Sequence, residues 1–348
     1  MRAEKSISCA RFSTPRGACR GAIEVKLMRY SRKTEPAALA RLGILVGDDL
    51  VADLRAGYAL YLLEEKGNPK GEEIAGIFMP AYITQFLYLG EPGWEAVAET
   101  YAWMADVARG DAGARGLRGE RLFLPLADCR LYAPVRPGKL IAIGRNYLDY
   151  SREGAIQSRS APIAFLKTAS SIIGPGRDIL KPAATQDLDC ATELAVVIGR
   201  KCKHLTVDKA LESVAGYTIL NDVSARDIAT RERAAGQVLL GKCFDTFAPI
   251  GPWLVTRDEL PDPLRLNIRT RVNGVLRQEG DTSSMVHPVA QLVAYLSQMT
   301  LMPGDVIATG SPGPLVSSAN RPLVAGDVIE AEIEGIGVLR NPVVDEPV

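Results

Sequence analysis

The residues of this chain best placed to do chemistry are carboxylates that adjoin apolar runs. Glu193 opens the run Glu-Leu-Ala-Val-Val-Ile-Gly, and Asp222 closes Gly-Tyr-Thr-Ile-Leu-Asn-Asp. A carboxylate beside a buried run must be ion-paired, hydrogen-bonded or bound to a metal. The plain alternative to a ligand role is a structural ion pair with Arg226 or Lys242. Asp189, Ala191 and Glu193 share one face of an extended strand. Only the outer two can ligate, and at about 3.3 Å per residue they stand about 13 Å apart, too far to crowd one small ion. Tyr147, Tyr150 and Glu153 fall at i, i+3 and i+6 and share a face if that segment is helical. They could form an acid/base turn at a pocket mouth, or the tyrosines could be packing residues with Glu153 solvated.

Histidine narrows the chemistry further. Only His204 and His287 are present, which excludes a His-x-x-x-His zinc helix, a two-Cys, two-His finger and a three-histidine metal site. His204 reads as an exposed loop residue and His287 as a surface or helix-entry residue. The six cysteines contain no Cys-x-x-Cys pair and read as reduced packing thiols in a cytosolic compartment. The stretch Gly236–Cys243 approaches a phosphate-binding loop, but Cys243 offers no hard oxygen to Mg²⁺ and Val-Leu-Leu is wrong for a wrapping loop.

The elements that must position these groups belong to a chain of 348 residues, 47% hydrophobic, with 41 basic against 41 acidic residues. That balance gives no footprint for nucleic acid or an anionic membrane, and no apolar run approaches the roughly 20 residues of a membrane span. Residues 1–24 read as a disordered leader or an upstream start, with an Arg- and Ser-rich transit-like peptide as the alternative. Residues 25–135 read as a smaller N-terminal α/β domain. Its strands are expected at Ile23–Tyr30 and Arg41–Leu54, and its helices at Ala56–Lys66, Glu72–Leu89 and Trp94–Ala108. Pro134–Gly138 marks a boundary, and residues 136–345 read as a mostly β domain. Strands are expected there at Lys139–Ile143, Ile163–Lys167, Glu193–Ile198, Tyr217–Leu220, Leu264–Val272, Val306–Thr309 and Val328–Ile333. Helices are expected at Val207–Val214, Ala225–Ala235 and Pro288–Met299. Asn273-Gly274 asks for a type I′ hairpin turn. The class is mixed α+β with a barrel-like β domain.

Along residues 136–343 the chain carries, in order, Gly144-Arg145-Asn146-Tyr147, Ala164-Phe165-Leu166-Lys167, Leu188-Asp189 leading to Glu193, Asn221-Asp222-Val223-Ser224-Ala225-Arg226-Asp227, Gly241-Lys242-Cys243-Phe244-Asp245 and Thr309-Gly310-Ser311-Pro312. In these motifs it resembles the fumarylacetoacetate hydrolase family. The resemblance implies a β-rich roll with a smaller N-terminal domain, usually dimeric. It also implies action on small enolisable oxo acids by C–C hydrolysis, decarboxylation, isomerisation or hydration. Mg²⁺ or Ca²⁺ would be held by three carboxylates. Glu193 and Asp222 match the second and third ligands, but the first position is Ala191. The family's water-activating His–Glu pair falls on Tyr150 and Glu153, a common Gln is Ala229, and the second Thr of the Thr-Gly-Thr-Pro loop is Ser311.

These departures have consequences. A phenol with a pKa of about 10 is a poor base at neutral pH, where imidazole at about 6.5 is well poised. Losing a positioned general base costs roughly 10²–10⁴ in rate. Two carboxylates and waters can hold Mg²⁺ (or Ca²⁺ or Mn²⁺), weakly or only with substrate completing the shell. What survives is an anion-binding set, Arg145, Arg226 and Lys242. The expectation is an enzyme for a small oxo acid or β-diketo acid, suited to enolisation, isomerisation or decarboxylation. Arg145, Tyr147 and Arg226 would bind the substrate, and Lys242 with the Gly310-Ser311 backbone would stabilise the enolate. Glu153 would move a proton, and Tyr150 would donate a hydrogen bond or act as an acid. The protein is expected to be a cytoplasmic homodimer. The alternatives are a catalytically silent binding or scaffold protein of the same fold and a metal-independent biosynthetic enzyme.

Overall fold

The computed structural model describes residues 25–148, 161–261, 263–313 and 321–347. The leader expected over residues 1–24 lies outside these, as do Tyr150 and Glu153. The centre of the fold is the strand Thr192–Ile198, buried at every position. Its sequence is a near-continuous apolar run because both faces of the sheet around it are covered. Ala195 and Val197 enter one core with Leu27, Ile44, Phe86 and Met104. Leu194, Val196 and Ile198 enter the opposite core with Tyr217, Ile219 and Leu292. Period-2 alternation therefore puts Glu193 on the face of Ala195 and Val197, at the strand's first turn of pleat.

The main sheet is mixed and open. Thr192–Ile198 lies between Val214–Asn221 and Val306–Ala308, and the latter pairs in parallel with Leu140–Gly144, whose far side carries the edge strand Ile163–Lys167. On the other side Val214–Asn221 pairs with Ala248–Thr256, which pairs with Lys26–Arg32 of the N-terminal region. The boundary expected at residues 134–138 is thus crossed by one continuous sheet. The strand path ends at Phe123–Pro125 and Ile163–Lys167 without joining them, so the β domain is not a closed barrel. A second sheet orders Val275–Asp281, Asn267–Val272, Val328–Ile333, Gly337–Asp345 and Ile179–Lys181.

Several expected elements are subdivided for local reasons. The helix expected over Glu72–Leu89 is two helices, Gly71–Phe78 and Ile83–Leu87, separated at Pro80, which supplies no backbone donor and disfavours helix in the residue before it. Arg41–Leu54 is a hairpin of Arg41–Val46 and Leu50–Asp53, turning through Gly47 at φ +62°. Asp53 then caps the helix Leu54–Glu64 by accepting from the Ala56 amide. The Asn273-Gly274 turn has φ of 52° and 77°, as a type I′ turn requires. Among the described residues no helix is long and apolar enough to cross a membrane.

Candidate active site

Where the central strands end, a cavity of about 610 Å³ opens against the edge strand Ile163–Lys167 and the helix Arg226–Ala234. Its wall includes Arg145, Asp189, Glu193, Asp222, Arg226 and Lys242. Register explains the meeting of the two central carboxylates. Glu193 pairs with Leu220 and Thr192 with Asn221, so Asp222 follows directly at the neighbouring strand's end. The strand period does not run from Asp189 to Glu193, because Leu188–Asp189 forms a separate short pair with Ser224–Ala225 and the chain breaks at Cys190 and Ala191.

Asp222 is the most heavily engaged acid. Lys167 Nζ donates to its Oδ1 at 2.6 Å and to the Val223 carbonyl at 3.2 Å, while Lys242 Nζ is paired with Oδ2. The Lys167 side chain has no exposed surface. Burial pushes the Asp222 carboxyl up, but the two ammonium groups outweigh it and hold the pKa below its ordinary value. Burial also lowers the pKa of Lys167, against the attraction of Asp222. The centroid of the Phe165 ring lies 5.3 Å from Lys242 Nζ.

Glu193 is held differently. Its Oε2 accepts from the Gly310 amide at 2.9 Å. Burial, and then the negative charge of Asp222, push its pKa to about 8. The donor is aimed by a tight loop. Gly310 has φ +86°, and a Cβ there would lie 2.9 Å from the Ile143 carbonyl oxygen. Asn146 pins the same loop, donating from Nδ2 to the Thr309 carbonyl at 2.8 Å and to the His287 carbonyl at 3.1 Å, with Oδ1 accepting from the His287 amide at 2.9 Å. From the second sheet, Gln278 Nε2 donates to the Pro312 carbonyl at 2.7 Å. Its Oε1 accepts from Thr270 at 2.8 Å and from the Thr192 amide at 3.3 Å.

The structure thus brings Arg145, Arg226, Lys242, Glu193, Asp222 and Ser311 to one cavity. Arg145, at φ 54°, takes a left-handed conformation uncommon for a non-glycine residue and is exposed. Arg226 is 3.5 Å from Asp189, whose Oδ1 accepts from the Cys190 amide at 2.8 Å; the ion pair weighed for Arg226 with Asp222 is made by Lys242 instead. Two expected roles change. Tyr147 is fully buried in the core beside Thr309 rather than on the cavity wall, with its pKa raised by burial. The Gly310 amide is committed to Glu193, so Gly310 positions that carboxyl and is not a donor to an enolate. Lys167 and Gln278 were not assigned any role from sequence. A lysine ending an apolar strand was a signal for the first; Gln278, in the polar-looking run Val-Leu-Arg-Gln-Glu, offered none.

The donor set does not fit a resident divalent ion. Among the described residues no three His, Cys, Asp or Glu side chains come together as a metal site. Both oxygens of Asp222 carry ammonium groups, and Ala191, on the wall beside Glu193, has no donor.

Residues 139–344 match the family described as Fumarylacetoacetate (FAA) hydrolase C-terminal. The chain is 43% identical over 288 residues to the human mitochondrial oxaloacetate tautomerase FAHD2A, covering 80% of this chain and 86% of that protein. Among solved structures, a 5-carboxymethyl-2-hydroxymuconate delta-isomerase from Mycobacterium smegmatis is 44% identical, with a TM-score of 0.58 over 65% of this chain and 86% of the other. A fumarylacetoacetate hydrolase from Exiguobacterium antarcticum is 32% identical, with a TM-score of 0.68 over 92% of this chain and all (100%) of the other.

Proposed function

The chain belongs to the fumarylacetoacetate hydrolase family of enzymes, and we propose that it interconverts the enol and keto forms of a small dicarboxylic oxo acid. The observation that carries this reading is the placing of Arg145, Arg226 and Lys242 on one cavity wall. Enol–keto conversion develops negative charge on the oxygen of an enolate, and cations fixed before the reaction stabilise that charge without reorganising. Arg226 and Arg145 hold the carboxylates, and Lys242 faces the enolate oxygen. The protonated Glu193 and the Gly310–Ser311 loop shape the floor. Relatives named as a tautomerase of oxaloacetate and as a delta-isomerase favour the same class of reaction.

Glu153 is the proposed proton carrier between oxygen and carbon, and Tyr150 the proposed hydrogen-bond donor; both lie outside the described residues. With Tyr150 where a water-activating histidine would stand, isomerisation is favoured over hydrolytic C–C cleavage, because a phenol of pKa about 10 is a poor base for water at neutral pH. A homodimer is part of the proposal, as is a cytoplasmic location, which fractionation tests against the mitochondrial location in the human relative's name.

The test follows the ultraviolet absorbance of enol-oxaloacetate as it converts to the ketone, with the spontaneous rate in buffer as reference. Wild type should accelerate the conversion. Lys242→Met should lose about 10²–10³ of that acceleration, the cost of removing one preorganised donor from a developing oxyanion. Glu153→Gln should lose about 10² or more if Glu153 moves the proton. A wild-type rate equal to the buffer rate, for oxaloacetate and for longer oxo diacids, refutes the reading and leaves a silent binding protein as the account.

A further inference from the structure

We infer that Lys167, Lys242 and Asp222 form the core of a metal-independent anion centre, in which the two ammonium groups supply the positive charge and a dicarboxylate is held with no resident divalent ion. The inference rests on the proposed function only in taking the ligand to be a small dicarboxylate.

The first argument is donor commitment. Asp222 gives Oδ1 to Lys167 and Oδ2 to Lys242. Asp189 gives Oδ1 to the Cys190 amide and Oδ2 to Arg226. Glu193 gives Oε2 to the Gly310 amide. Glu193 Oε1 is the one oxygen of these three carboxyl groups with no hydrogen bond or ion pair among the described residues, and it belongs to a group held protonated. A divalent ion ligated by Asp222 would have to share that carboxylate with the ammonium groups of Lys167 and Lys242 and would be repelled by both.

Charge gives the second argument. Among the described residues of the cavity wall, Arg145, Arg226, Arg233 and Lys242 face Asp189, Glu193 and Asp222, and Lys167 backs Asp222 from the buried side. With Glu193 protonated, the described groups set five cations against two carboxylates, Asp189 and Asp222. A dication entering this cavity is repelled by these groups, and a dianion is attracted to them.

The experiment uses the full chain, freed of metal with EDTA and desalted, with Mn²⁺ and oxalate as the titrants in calorimetry. Wild type should bind no Mn²⁺. It should bind oxalate with the same affinity in EDTA as in added Mn²⁺ or Mg²⁺. Lys242→Gln should weaken oxalate about tenfold, the loss of one charge-assisted hydrogen bond. Ala191→Glu, with its fold checked by circular dichroism, should gain Mn²⁺ binding by adding a carboxylate beside Glu193. Mn²⁺ binding by wild type, or oxalate binding that needs Mn²⁺, overturns the inference while leaving an oxo-acid enzyme intact. A folded Ala191→Glu that binds no Mn²⁺ overturns the donor-count argument. Failure of oxalate to bind under either condition overturns this inference and the dicarboxylate reading of the proposed function together.

Discussion

Replacing Glu193 by Gln separates the electrostatics of this site from its packing. Burial beside Asp222 raises the Glu193 pKa from 4.5 to about 8 in the folded protein, while the unfolded chain keeps the ordinary value. A group whose folded pKa is raised contributes stability that is fully present below the unfolded pKa and lost as pH rises through the folded pKa. Between pH 5 and pH 8 the folded protein holds a proton that the unfolded chain has released, and the loss over that window integrates to about 3.5 kcal/mol. Glutamine mimics the protonated acid and keeps an oxygen to accept from the Gly310 amide. The variant should therefore match wild type near pH 5 and exceed it by about 2 to 4 kcal/mol at pH 8. The assay is urea unfolding at pH 5, 6.5 and 8 in EDTA, with the difference between the two proteins plotted against pH so that every other titrating group cancels. Parallel curves for the two proteins would refute the claim that Glu193 is held protonated in the fold.

Three further outcomes follow from the same contacts. Lys167→Met removes one of the two ammonium groups on Asp222, and because Lys242 remains, urea unfolding should show a loss of about 2 to 3 kcal/mol, below the ~3–5 expected when a buried charge is left alone. Since the lysines hold the Asp222 pKa below 3.8, the stability they give is present above that value and lost as pH falls; Lys167→Met should move acid unfolding to higher pH, read by circular dichroism. Gln278→Ala leaves the Pro312 carbonyl and the Thr192 amide without their buried partner, which should cost about 2 to 4 kcal/mol and raise KM through a loosened Gly310–Pro312 loop; an unchanged unfolding midpoint counts against that clasp. Gly216→Ala drives a Cβ into the Val255 carbonyl of the adjacent strand, and should destabilise by about 3 kcal/mol or more in thermal unfolding.

How much of this was legible in the chain depends on whether the signal is local. Glu193–Ile198 and Tyr217–Leu220 read as strands because they are short, mostly apolar runs, and the strands found there, Thr192–Ile198 and Val214–Asn221, are buried at every position. Asn273-Gly274 read as a turn because few residues accept two positive φ values. What failed was inference across distance. Period-2 geometry carried Asp189 and Glu193 along one ideal strand, whereas they stand on two short elements divided at Cys190 and Ala191, both lining one cavity. The pairing of Arg226 with Asp189 rather than Asp222 follows from the Leu188–Asp189 pair with Ser224–Ala225, a tertiary fact with no local trace. Tyr147 adjoins Arg145 and Asn146 in sequence, but the left-handed turn at Arg145 sends the arginine outward and the tyrosine into the core.

Lys167 shows why the centre reads differently in three dimensions. In sequence, Ala191 and Tyr150 are losses, a ligand gone and a base gone, and what remains looks like an impaired metal site. In the fold, the carboxylate that would anchor an ion is instead the anion shared by two lysines from separate elements, the end of the edge strand Ile163–Lys167 and the short helix Leu240–Cys243. A scaffold would gain nothing from this arrangement. Replacing a buried ion pair by apolar residues is often neutral or stabilising, so buried Lys167 and Asp222, with half-buried Lys242 beside them at an open cavity, are a standing cost to the fold. They make physical sense if an anion enters that cavity, because the ligand's charge then balances the excess that the protein carries.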